Sequence, residues 1–79
     1  MSTKLDIMGH TSVDNQVREI RTGKGLTQQQ LADLTGVTRQ SVNSIECGRF
    51  IPTIDTALRI AVALGRDVGD LFWLKGVRK

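Results

Sequence analysis

The 79 residues include 39 % hydrophobic and 24 % charged side chains, enough apolar surface for one folded domain, while a second core would need roughly 50 residues more. No apolar stretch approaches the roughly 20 residues of a membrane-spanning helix. The first residues lack the basic start and apolar run of a secretory signal, and the lone Cys47 cannot close an internal disulfide, so a cytoplasmic location is expected. The net charge of +3 is carried outside the first 15 residues and is compatible with a polyanionic partner without demanding one.

The spacing divides the chain into a tail over residues 1–12, a domain over 13–74 and a basic tail over 75–79. The first helix is predicted from Val13 or Asp14 to Thr22, with Val13, Val17 and Ile20 on one face and Ser12 or Asp14 as its cap. The second follows Thr27, which with Gln30 forms a capping-box pattern, and points Leu31 and Leu34 inward until Gly36. The third starts at Thr38, buries Val42 and Ile45, and ends at Gly48. Pro52 disfavours helix at Ile51, so residues 49–53 form a loop. The fourth helix runs from Ile54 to Leu64, with Ile54, Ala57, Leu58, Ala61 and Leu64 as its apolar stripe. Asp67 can cap a short fifth helix carrying Val68, Leu71 and Phe72. Sustained apolar-polar alternation is missing, apart from Lys4 to Ile7, so the expected fold class is all-α with five helices.

Only Thr35-Gly36-Val37-Thr38 separates the second helix from the third. A link that short, with glycine able to take positive φ, makes two helices cross steeply, as in a helix-turn-helix. Ala32 is small where the next helix must come close. At about 100° per residue, Arg39, Asn43, Cys47, Gln40 and Ser44 share an outward arc of roughly 140°, opposite Val42 and Ile45. Arginine bonds bidentately to guanine, and glutamine or asparagine to adenine, on the major-groove edge. Such a face suits a groove reader.

The same residues carry a family resemblance. Val17-Arg18-Glu19-Ile20-Arg21, Gly25-Leu26-Thr27-Gln28-Gln29-Gln30-Leu31-Ala32, Gly36-Val37-Thr38, Ile45-Glu46-Cys47-Gly48, Pro52-Thr53 and Asp70-Leu71-Phe72 stand in one register. This pattern resembles the Cro/phage-repressor (Xre-like) helix-turn-helix regulators of the short, stand-alone type, whose fold is the five-helix lambda-repressor-like domain. The resemblance implies that Arg39, Gln40 and Ser44 read bases, with Asn43 between them. It implies that Gln28 clamps phosphate beside Thr27, that Thr38 touches phosphate, and that Arg49 lies near the backbone. It also implies a partly buried ion pair between Arg21 and Glu46. Cys47 departs from the pattern, in which the residue before the glycine is more often asparagine or another polar group.

The predicted function is therefore that of a sequence-specific double-stranded DNA-binding transcriptional regulator, a repressor acting as a homodimer on a two-fold operator. Trp73, Leu74 and Val77 are the expected dimer contacts, because so small a core cannot hide them all. The alternative is an antitoxin or protein-interaction module, against which the short basic end Lys75 to Lys79 argues. No enzyme is expected, since neither paired carboxylates nor a Ser-His or Cys-His set can be assembled. Nor is a cofactor, a metal site or a small-molecule ligand expected: His10 has no companion at ligand spacing. A redox role for Cys47 is not favoured over a tolerated small residue.

Overall fold

The computed structural model describes residues 12–76. The elements are β1 (Val13–Asn15), α1 (Val17–Gly23), α2 (Gln28–Thr35), α3 (Arg39–Glu46), α4 (Ile54–Leu64), α5 (Val68–Leu71) and β2 (Phe72–Leu74). Five helices make the body, and the two strands pair antiparallel with Val13 opposite Leu74, Asp14 opposite Trp73 and Asn15 opposite Phe72. The fold is the five-helix architecture expected, with a small ribbon added.

Three threonines start three helices in the same way. Thr27, Thr38 and Thr53 are all extended, and their hydroxyls accept from the backbone N–H of Gln30, Ser41 and Thr56. At α2 the box is complete, since Thr27 N–H donates to Gln30 Oε1 at 2.8 Å. The left-handed Gly36 at φ 78° closes the other end of this helix. Its N–H and that of Val37 both donate to Ala32 O, turning the chain into α3 within three residues. Thr27→Ala is expected to cost about 1 kcal/mol, a fall in melting temperature of about 4–8 °C for a domain of this size. Thermal melts of the two proteins measure it.

The core is Val17 and Ile20 from α1, Leu31 and Ala32 from α2, Val42 and Ile45 from α3, Ile60, Ala61 and Leu64 from α4, and Leu71 from α5. Leu26, Val37, Ala63 and Phe72 pack against it from the rim. Ala32 is completely buried.

Four expectations are corrected. First, α1 begins at Val17, not at Val13 or Asp14. Neither Ser12 nor Asp14 caps it. Asn15 holds the turn instead, accepting from Val17 N–H at 3.0 Å and donating through Nδ2 to Ile45 O at 3.0 Å. Residues 13–15 are drawn into pairing with the far end of the chain, so Val13 is a strand residue. Second, Phe72 leaves α5 for β2, and Asp67 stands at the helix start without a side-chain cap bond. Third, Leu34 is 62 % exposed, on the side of α2 away from the core. Fourth, the buried side of α4 is Ala57, Ile60, Ala61 and Leu64, whereas Ile54 and Leu58 face outward at 77 % and 49 % exposure. The expected tail at residues 1–12, the Lys4–Ile7 alternation and His10 fall outside the described residues, except that Ser12 O accepts from Lys75 N–H at 2.9 Å.

Candidate nucleic-acid interface

α3 is eight residues long, and its inner side, Val42 and Ile45, is sealed in the core. That seal fixes which residues face out. Arg39 and Gln40 are exposed at its first turn, and Asn43 and Ser44 are half-buried one turn later. Neither the Arg39 nor the Gln40 side chain is held by a partner among the described residues, so both are free to meet a ligand. Thr38 is occupied as the cap: its Oγ1 accepts from Ser41 N–H and donates to Ser41 Oγ, each at 3.0 Å. Thr38, Gln40, Ser41, Ser44, Arg49 and Phe50 line an open concavity of about 360 Å³ beside the helix. Ser41 and Phe50 were not anticipated. Phe50 follows a glycine turn and is exposed, which an apolar residue in a loop does not announce in sequence.

Behind this face lies a charged junction. The Glu46 side chain is fully shielded from solvent. It accepts from Arg21 Nε at 2.6 Å, Arg21 Nη2 at 3.1 Å, Gln28 Nε2 at 3.1 Å and Arg18 Nε at 3.4 Å. Burial pushes its carboxyl up, but the hydrogen bonds from Arg21, Gln28 and Arg18, with the Arg21 charge, outweigh that and hold it below the usual carboxylate range. Arg21 is raised in turn, chiefly by its hydrogen bond to Glu46. Its Nη1 donates to Leu26 O at 2.8 Å, which ties the loop before α2 to the same junction. One anion thus joins α1, α2 and α3. Arg18 was not singled out by the sequence pattern, because nothing in its spacing marks a bond to a residue 28 positions away.

The structure places Gln28 differently from a free clamp. Its Nε2 is committed to Glu46 Oε1 and, at 3.2 Å, to Asn43 Oδ1. What α2 presents at its start is backbone: the first N–H groups of a helix have no intrahelical partner. Thr27 and Arg49 are exposed nearby in sequence and on the loop after α3. Cys47 is exposed at the end of α3, and the guanidinium beside it is that of Arg18, with Nη2 3.9 Å from Sγ. Trp73 is half-buried opposite Asp14 and Leu74 is 58 % exposed, while Val77 lies outside the described residues.

The comparisons with known proteins agree with this geometry. The sequence profile of the helix-turn-helix family matches residues 17–71. The chain is 41 % identical over 61 residues to the transcriptional regulator YgzD of Bacillus subtilis, spanning 77 % of this chain and 92 % of that one. It is 49 % identical over 59 residues to a helix-turn-helix-type transcriptional regulator of Methanothermobacter thermautotrophicus, spanning 73 % and 86 %. Among solved structures it is similar to the restriction-modification controller protein C.AhdI from Aeromonas hydrophila, with 37 % identity, a TM-score of 0.66, and 68 % and 82 % of the two chains covered. With a three-residue turn through Gly36 between α2 and α3, a polar outer face on α3 and these relatives, the chain belongs to the Xre-like helix-turn-helix family of DNA-binding transcriptional regulators.

Proposed function

We propose that this regulator is a homodimer that reads a two-fold operator through the major groove and represses by occupying it. The observation that carries the reading is the outward face of α3, where Arg39 and Gln40 stand exposed and unpartnered on a helix whose other side is locked into the core. Base-edge contacts in helix-turn-helix proteins cluster at the start of the recognition helix. Arg39 and Gln40 therefore read bases, with Asn43 and Ser44 behind them. Thr38, Arg49, Thr27 and the backbone N–H groups at the start of α2 position the domain on phosphates. Selection from a random duplex pool at physiological salt tests this. Arg39→Ala should cost about 1–3 kcal/mol and relax preference at one base pair, whereas Arg49→Ala should weaken all sequences alike and lower the salt slope by about 1. Even losses in both variants would reject the division of roles.

One half-site offers few contacts, and two-fold dimers gain a second about 34 Å away. We assign the dimer face to α4 rather than to Trp73, Leu74 and Val77. Ile54, Leu58 and Val62, at 77 %, 49 % and 83 % exposure, recur every four residues along the outer side of α4. Leu34 borders the same hollow, which Asp55 and Arg59 flank. Asp55, which accepts from Arg59 Nε of the same helix at 3.1 Å, lies at one end of this stripe, and Arg66 beyond the other. A second copy laid antiparallel brings its basic end to the acidic end of the first, the self-complementarity that a two-fold contact needs.

A further inference from the structure

We propose that Glu46 acts through Gln28 to decide which atom of Asn43 meets the duplex, so that Asn43 offers only a donor and selects a keto base, guanine or thymine. The inference rests on the recognition-helix reading above and goes beyond it by assigning the base class that one residue takes.

The argument is a chain of forced hydrogen-bond directions. An ionised carboxylate can only accept. Glu46, bonded to two arginines and shielded from solvent, therefore requires a donor from Gln28, and Gln28 Nε2 lies 3.1 Å away. That settles the orientation of the Gln28 amide. Nε2 carries two protons, and the second points to Asn43 Oδ1 at 3.2 Å. The Cys47 thiol donates to the same oxygen at 3.8 Å. With Oδ1 held on the protein side, the Asn43 Nδ2 group is the one turned away, and it has no partner among the described residues.

This polarity matters in the groove. Bidentate recognition of adenine needs an amide oxygen to accept from N6 and an amide nitrogen to donate to N7. Asn43 has already spent its oxygen. Guanine N7 and O6, or thymine O4, accept from Nδ2, whereas cytosine offers an N4 donor and adenine places its N6 donor beside N7. An isolated asparagine on a recognition helix would be free to turn for adenine; this one is not. The buried anion thus acts on specificity without approaching the DNA. Glu46 and Gln28 are positioning residues here, and Asn43 is the reader.

The test uses the full chain and a randomised duplex pool. Asn43→Ala identifies the base pair whose preference depends on Asn43. Because every base pair holds one keto and one amino base, analogues identify the one contacted: at that pair, removing the keto oxygen (2-aminopurine for guanine, 5-methyl-2-pyrimidinone for thymine) should cost roughly 3- to 10-fold, the worth of one hydrogen bond, whereas removing the amino group of its partner should not. Gln28→Leu leaves the Glu46 ion pair in place but removes the Gln28 donor, so the loss on removing that keto oxygen should shrink there and nowhere else. Asn43→Asp, which only accepts, should move the sensitivity from the keto oxygen to the amino group of cytosine or adenine. In the free wild-type protein, side-chain amide proton exchange read by NMR should be slow for Gln28 and fast for Asn43, a readout that needs no variant to fold. A wild-type loss on removing the adenine or cytosine amino group at the Asn43-dependent pair, with none on removing the keto oxygen, would overturn the proposal. So would a Gln28→Leu loss spread evenly over all sequences, which would return Gln28 to a backbone clamp. An Asn43→Ala protein with every base preference intact, while Arg39→Ala still relaxes one, would remove Asn43 as a reader but leave the regulator reading standing. Absence of any sequence selection would instead reject that reading.

Discussion

Glu46→Ala is expected to destabilise the protein by about 3–5 kcal/mol, because removing one member of a buried ion pair strands the other. Arg21 has a side chain only 10 % exposed, and Gln28 would lose the acceptor that orients it. Against a total stability of about 5–15 kcal/mol, a loss of this size leaves a substantial unfolded fraction. Urea denaturation at neutral pH reads it directly; a loss below about 1 kcal/mol would mean that the junction holds water and behaves like a surface pair. The same residue sets a pH dependence. Its folded carboxyl titrates below the ordinary 4.5, so the stabilisation is fully present above that value and is lost as pH falls through the folded pKa. The wild-type curve should therefore drop more steeply below about pH 4.5 than the curve of Glu46→Ala.

The second large effect concerns assembly. Val62→Glu is expected to convert the proposed dimer into a monomer, since an ionised carboxylate would be desolvated within the proposed α4 contact. Val62 is 83 % exposed in the single chain, so the substitution should leave the folding of the monomer nearly unchanged. Operator affinity should fall by two orders of magnitude or more, because a half-site alone supplies only part of the roughly 4–10 kcal/mol that separates specific from non-specific binding. Sedimentation measures the mass and titration of a two-fold duplex the affinity. Leu74→Glu is the control. If that variant dissociates and Val62→Glu does not, the contact lies on the ribbon, as the chain's apolar end first suggested.

The parts of the fold that could be read from sequence are those decided by neighbours in sequence. Thr27 and Thr38 cap from three residues away, and Gly36 turns the chain at a position where a side chain would be strained. Periodicity alone put Val42 and Ile45 on the inside of α3 and Arg39 and Gln40 on the outside, as the structure has them. What escaped depends on distant partners. A three-residue strand is too short to show alternation, and the partner of Val13 is Leu74. The apolar arc of α4 is wide, leaving only the Asp55, Thr56 and Arg59 side polar, so periodicity could not tell Ile60, which is buried, from Ile54, which is not. At the site, the face of α3 was legible, but the Gln28–Glu46 and Gln28–Asn43 bonds span 18 and 15 residues and follow only from how α2 crosses α3.

The ribbon also governs how the molecule meets mechanical load. Because β1 enters the helical body where β2 leaves it, and Ser12 and Lys75 are bonded at 2.9 Å, anything tethered to either flank pulls from one corner. Tension between the two flanks peels the rungs apart singly, starting from Lys75–Ser12, and does not shear them together. Inward of the ribbon, Gln16 still holds Asp70 O and Leu71 O, and Asn15 Nδ2, donating to Ile45 O, ties the strand to the end of α3.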